Sequence, residues 1–150
     1  MITYRFAEMK DLNLLISLRL EFLEVSSFNN NYQNIKINIE EYFKRKISSG
    51  ECTVILAESD SNVVGTGIMF YYDSVPSVSN MTGKNAYITS MYVHEKFRRQ
   101  KIGSTILTKL LNKAKELDYK VTMLNATDVG RNLYEKHGFT DINNGMICKC

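Results

Sequence analysis

Between Glu95 and Leu107 the chain reads EKFRRQKIGSTIL, where Lys96, Arg98, Arg99 and Lys101 precede a single glycine, Gly103. A helix beginning there would leave about four backbone N–H groups without internal partners and would add the positive end of its dipole. Cations, a glycine with no Cβ and a helix N-terminus together make an anion site suited to phosphate or pyrophosphate. On composition alone a solvated loop would look the same. A nucleic-acid backbone or a membrane headgroup would be the other anionic partners. Neither G-x-G-x-x-G nor G-x-x-x-x-G-K-[ST] occurs in this segment, so it is not a dinucleotide fingerprint or a Walker loop.

Tyr134, in GRNLYEKHGF, is one of nine tyrosines and taken alone reads as a core or surface residue of a short helix. A phenol ionises near pH 10, so at neutral pH it is a proton donor. His94 and His137 read as structural or exposed, and Cys52 as a small core residue. Cys148-Lys149-Cys150 has no second ligand pair at zinc spacing, so no metal is expected.

Composition narrows the partners. With 150 residues, 44% hydrophobic and 23% charged, the chain suits one domain spanning 1–150. A net charge of +3 is mild, and no helix carries a basic face with base-reading residues, so nucleic acid is not expected. No run approaches the roughly 20 apolar residues of a membrane span. The opening MITYRFAEMKDLNLL lacks a basic region followed by an apolar one, and three cysteines fit a reducing compartment, so a cytoplasmic location is expected.

The elements that must position these residues follow from periodicity. Ile2–Phe6 alternates as a strand, and Asp11 can cap a helix running to about Glu24. SSFNNNYQN reads as a loop and Ile39–Ile47 as a second helix, stopping near Ser48-Ser49-Gly50. CTVILAES and NVVGTGIMFYYD form a hairpin about DSN, and NAYITSMYVHE is a further strand. The intervening SVPSVSNMTGK is long enough to suggest a role near a binding site. Beyond Gly103, Ile102, Ile106, Leu110, Ala114 and Leu117 share one helical stripe. YKVTMLNA is a short strand and VGRNLYEKH a short helix. FTDINNGMICKC suggests a closing hairpin about Asn143-Asn144-Gly145. The order β-α-α-β-β-β-α-β-α-β implies an α/β domain, a mixed sheet covered by helices on both faces, with a parallel crossover from Tyr87 to Ala126.

MYVHEKFRRQKIGSTILTKLL resembles the acyl-CoA-binding motif of the GNAT superfamily of acetyltransferases, [QR]-x-x-G-x-[GA] between a strand and a long helix. It maps onto Arg98, Arg99, Gln100, Lys101, Ile102 and Gly103, with Lys101 standing where the first glycine is usual. GRNLYEKHGF resembles the family's helix A-x-x-L-Y-x-x-x-G-F, with Gly130 in place of alanine. YRFAEMKDLNLL and NVVGTGIMFYY resemble its opening strand and helix and its central hairpin strand. The likeness covers nearly the whole chain in the same order.

The resemblance implies a GNAT fold with a mostly antiparallel central sheet and acetyl-CoA as co-substrate. The implied reaction is acetyl transfer to a primary amine of a small molecule or peptide, by direct attack in a ternary complex. It places the pyrophosphate of coenzyme A on the loop Arg98–Gly103 and Ser104. The pantetheine would lie along the backbone of Met91, Tyr92 and Val93, with Asn125 and Asn132 as further contacts and Tyr134 as the acid facing the sulfur. A homodimer is common in the superfamily. The general base is open between Glu21, Glu24 and a water relay. The acceptor is expected against the first two helices and the loop from Ser74 to Lys84. A non-catalytic CoA-binding module is the competing reading.

Overall fold

The computed structural model describes residues 1–142 and 144–150. Its elements are β1 (Thr3–Phe6), a 3-10 turn (Met9–Asp11), α1 (Leu12–Phe22), α2 (Tyr32–Ser48), β2 (Cys52–Ser59), β3 (Asn62–Asp73) and β4 (Lys84–Val93). A second 3-10 turn (Glu95–Phe97), α3 (Ile102–Glu116), β5 (Val121–Leu124) and α4 (Asp128–Lys136) follow. The sheet order is β1-β2-β3-β4-β5. The first four strands are antiparallel, and β5 joins β4 in parallel through α3. This is the mixed α/β sheet that the periodicity implies.

The side-chain alternation of a strand covers both faces. In β2, Val54 and Leu56 pack with Leu15, Ile16 and Leu20 of α1 and Ile39 and Phe43 of α2. Ile55 and Ala57, between them, pack with Ile102, Ile106, Leu107 and Leu110 of α3. That second face is unusually close. A Cβ on Gly67 would stand 2.8 Å from both Ile106 Cγ2 and Met91 Sδ, and one on Gly65 would stand 3.1 Å from Ile102 and Ile106. These two glycines of β3 therefore let α3 lie directly on the sheet.

Several boundaries differ from expectation. α1 ends at Phe22, and Glu24 lies beyond it in the left-handed region (φ 56°), so Glu21 and Glu24 do not share the helix. α2 begins seven residues before Ile39, because Tyr32 and Ile35 fall on the same face as Ile39 and pack into the same core. Asp11 does not cap α1 with its side chain. Its buried carboxylate instead takes a bidentate pair from Arg5 (2.8 and 2.9 Å) and the N–H of Glu8 (2.8 Å), while Arg5 also holds Glu58 (2.9 Å). Residues 139–142 and 144–150 form no strand, and the expected turn at Asn143 lies outside the described residues. The apolar side chains there, Ile142, Met146 and Ile147, find no sheet face and are largely exposed.

The long loop between β3 and β4 is ordered by Asn80 and Asn85. Asn80 donates to Asn85 Oδ1 (3.1 Å), and Asn85 donates to Gly83 O (2.8 Å) and Ser74 Oγ (2.9 Å). It precedes Lys84 and so opens at the opposite end of β4 from the basic loop. Ten strand residues put the two about 30 Å apart. This turn network orders the loop, which does not flank the basic loop after β4.

Gly67→Ala is expected to lower stability by about 1–3 kcal/mol, because Ile106 and Met91 must give way to the new methyl. Urea denaturation measures this, and a loss below 0.5 kcal/mol would show that α3 is seated more loosely. The Arg5 pair holds the Asp11 carboxyl below its usual range. Its stabilisation is thus present above the unfolded value of about 4 and is lost as pH falls through the lower folded value. Arg5→Met is expected to cost about 3 kcal/mol at pH 7, with the gap to wild type narrowing below about pH 4.

Candidate functional site

β4 carries the first half of the site. Thr66 pairs Tyr92 and Ile68 pairs Thr89, so two steps along β3 face three along β4, a bulge at Ser90 and Met91. Ser90 sits there at φ 53°, buried, its hydroxyl accepting from Arg19 Nη1. Pairing of β4 with β5 stops at Ile88↔Leu124, while β4 continues to Val93. From Thr89 onward the edge of β4 turned toward β5 has no strand partner. Met91, Tyr92 and Val93 all lie on this stretch. Met91 points beneath α3, and the Val93 carbonyl is already taken by Arg98 Nε (3.1 Å).

The second half is the turn from β4 into α3. His94 caps the 3-10 turn, its Nδ1 accepting from the Lys96 N–H (3.3 Å). Arg99 (φ 63°) and Lys101 (φ 62°) are both left-handed, a conformation that costs a non-glycine residue about 1 kcal/mol. Position 101 is thus one where glycine is conformationally favoured, and here a lysine adopts the left-handed backbone at that cost. Lys101 is also the N-cap of α3, and its side chain has no acceptor to offer the helix. The N–H groups of Ile102, Gly103 and Ser104 are consequently left without a side-chain cap, and the first intrahelical bond runs from Thr105 N–H to Lys101 O (2.9 Å). Arg98, Arg99, Gln100 and Lys101 are exposed around this end, while the Ile102 side chain is buried in the core. Gly103 has ordinary backbone. A Cβ there would meet Leu133 and Val93 at 3.5 and 3.7 Å, which explains why the motif accepts alanine.

α4 completes the arrangement. Thr127 Oγ1 caps it by accepting from Gly130 N–H (3.2 Å). Tyr134 is half-buried with its ring edge-on to Phe139 at 5.9 Å, and burial pushes its phenol pKa up. Its ring stands 3.0 Å from where a Cβ on Gly130 would lie, so glycine replaces alanine to seat the tyrosine. His137 Nδ1 lies 2.9 Å from the Leu133 carbonyl, which can only accept, so the proton sits on Nδ1. Nε2 then accepts from Ser104 Oγ (3.2 Å) or Thr108 Oγ1 (3.3 Å). His137 thereby ties α4 to the start of α3, and the Ser104 hydroxyl is turned toward it. Asn125 and Asn132 are exposed, as are Glu21 and Glu24.

A cavity of about 1250 Å³ runs along β5 between α3, α4 and the C-terminal segment. Asn125 and Tyr134 line it, but residues 91–93 and 98–104 do not. The structure thus gathers the strand-edge and loop residues at one end of β4, and Tyr134 and Asn125 in an adjoining cleft. Sequence reasoning passed over Arg19, whose only signal was a cation within the apolar run of α1. Among the described residues no cluster of three or more His, Cys, Asp or Glu side chains is placed to hold a metal, and no helix is long and apolar enough to cross a membrane.

The sequence profile described as the Acetyltransferase (GNAT) family matches residues 18–139. The chain belongs to the GNAT acetyltransferase family. The structure is similar to that of a predicted acetyltransferase from Clostridium acetobutylicum solved with acetyl-CoA (TM-score 0.89, 30% identity, covering 99% of this chain and 96% of that one). It shares its fold with a GCN5-related N-acetyltransferase from Ralstonia eutropha JMP134 (TM-score 0.86, 17% identity, covering 100% and 99%). The same holds for glucosamine-6-phosphate N-acetyltransferase from Arabidopsis thaliana (TM-score 0.75, 16% identity, covering 99% and 98%). No curated protein sequence matches the chain.

Lys101→Gly is expected to raise the stability of the free protein by about 0.5–1 kcal/mol, since the left-handed backbone is already formed. Gly103→Ala is expected to be nearly neutral, whereas Gly103→Leu must displace Leu133 or Val93 and weaken acetyl-CoA binding more than Lys101→Gly does. Calorimetric titration of the three variants checks the order. A larger loss for Lys101→Gly would make charge, not backbone, the dominant contribution.

Proposed function

We propose that the chain moves an acetyl group from acetyl-CoA to a primary amine of a small molecule or peptide by direct attack in a ternary complex. The observation that carries this reading is the meeting, at one end of β4, of an uncapped α3 N-terminus and a strand edge that has lost its partner. The residues fit the group: three free N–H donors, two left-handed turn residues and exposed cations suit a pyrophosphate.

Acetyl-CoA supplies an activated thioester. The N–H groups of Ile102, Gly103 and Ser104 bind its phosphates, Arg98, Arg99 and Lys101 add charge, and Gln100 flanks them. The free backbone of Met91 and Tyr92 and the end of Val93 orient the pantetheine, with Asn125 and Asn132 beside it. Tyr134 holds a proton for the departing thiolate. Its raised pKa keeps it protonated through neutral and mildly alkaline pH. The amine loses its own proton to a water relay or to Glu21 or Glu24, which are exposed at the end of α1 and just beyond it.

Saturating acetyl-CoA, at about 100 times its Kd, is expected to stabilise the protein by about 2.7 kcal/mol, raising Tm by several degrees. Absence of any shift at millimolar ligand would remove the reading. Tyr134→Phe is expected to lower kcat about 100-fold with acetyl-CoA affinity unchanged. Unchanged turnover would take Tyr134 out of the chemistry, and a wild-type protein that binds acetyl-CoA yet releases no thiol with any amine would be a binding module.

A further inference from the structure

Arg19 is a half-buried cation without a carboxylate. Among other partly shielded cations, Arg5 is paired with Asp11 and Glu58, Lys46 with Glu51 and Lys113 with Glu116, while Lys84 donates to the Leu117 carbonyl over the Tyr119 ring and Lys36 lies over the Tyr32 ring. Arg19 instead donates from Nη1 to the Ser90 hydroxyl and lies 5.7 Å from the Phe22 ring centroid. No ion pair to it is formed among the described residues. Burial lowers its pKa. A guanidinium has five N–H donors, so one hydroxyl leaves most of them unused.

Its position gives the unused donors a purpose. Ser90 is the bulged residue of β4, two residues past Ile88, the last to pair with β5. Arg19 therefore reaches from α1 to the point where the two strands part. The depression beneath it holds only about 10 Å³ and is lined mostly by apolar side chains, with Arg19, Thr66 and Ser90 its polar ones, so a ligand would meet the half-exposed guanidinium from outside. A desolvated guanidinium repels an ammonium and binds a planar or tetrahedral oxyanion through paired N–H donors.

We infer that Arg19 reads the acceptor, and that the acceptor is an amine that also carries a carboxylate or a phosphate. This rests on the acetyl-transfer reading and names its substrate class. The anion of such an acceptor is held at Arg19, and its amino group is left facing the parted strands. The acidic residues near α1 and α2, which would favour a purely cationic amine, are not paired with Arg19.

The test uses the full chain saturated with acetyl-CoA and amines matched except for their anion. Amino acids are compared with their C-terminal amides, and O-phosphoethanolamine with ethanolamine. Thiol release and thermal shift are read for each. The anionic member of at least one pair is expected to give about ten- to a hundredfold higher kcat/KM, the range of a charge-assisted hydrogen bond. The pair that shows the preference distinguishes carboxylate from phosphate. In Arg19→Met the preference collapses. In Arg19→Lys it is partly retained, and in Ser90→Ala, which leaves the cation in place, it persists. If no anionic amine outperforms its neutral mate in either readout, the inference is overturned. It is also overturned if the preference survives in Arg19→Met, or if Ser90→Ala abolishes it while the protein stays folded. In each case thiol release by the wild-type protein with any amine of the panel, neutral or anionic, tells whether the acetyl-transfer reading has failed as well.

Discussion

The close seating of α3 on β3 is the constraint from which the rest of the site follows. Gly65 and Gly67 remove the two side chains that would hold the helix off the sheet, and Ile102, Ile106 and Leu110 occupy the space. Because α3 is rigid and buried along this stripe, its N-terminus cannot drift relative to the end of β4. Met91, the bulge residue that points beneath the helix, borders the same glycine. Helix position and strand bulge are thus two consequences of one packing contact. A backbone site made of N–H groups from one element and a strand edge from another needs that kind of shared anchor.

Three of the left-handed non-glycine residues lie in the same place, the others among the described residues being Glu24, Asp60, Ser61 and Asp118. Ser90, Arg99 and Lys101 are all left-handed without being glycine. Such residues persist when the surroundings over-determine them, and they are frequent at binding sites. Here the surroundings are identifiable. Arg19 holds Ser90, Arg98 holds the end of β4, and His137 ties α4 to the first turns of α3. A ligand proposed to bind there would meet a backbone already held at both ends of the loop, which lowers the ordering cost of binding.

Charge is handled in two distinct ways. Arg5 sits between Asp11 and Glu58, a closed network that joins β1, the 3-10 turn after it and β2. Arg19 and the cations of the basic loop are left without such partners. The closed network belongs to folding, while the open cations surround the region where β4 and β5 part.

Much of this was legible in the sequence. Alternation in CTVILAES and the stripe from Ile102 to Ala114 are local patterns, and they suffice for a mixed sheet covered on both faces. The basic loop between a strand and an amphipathic helix was readable for the same reason, whereas Tyr134 stood out only through the likeness of LYEKHGF to a family motif. Tertiary packing decided what local pattern cannot encode. The bulge at Ser90 depends on register with β3, and the parting of β4 from β5 depends on where β5 stops, at Leu124 opposite Ile88. The early start of α2 was hidden by asparagines that fold as helix because Tyr32 and Ile35 have a core to enter. Asp11 looked like a cap and became half of an ion pair with Arg5, a partner brought near by the turn between them. The residue types that can bind an anion were determined by the sequence itself. Which of them stand free to do so was decided by the fold, because a cation's partner is set by proximity in space.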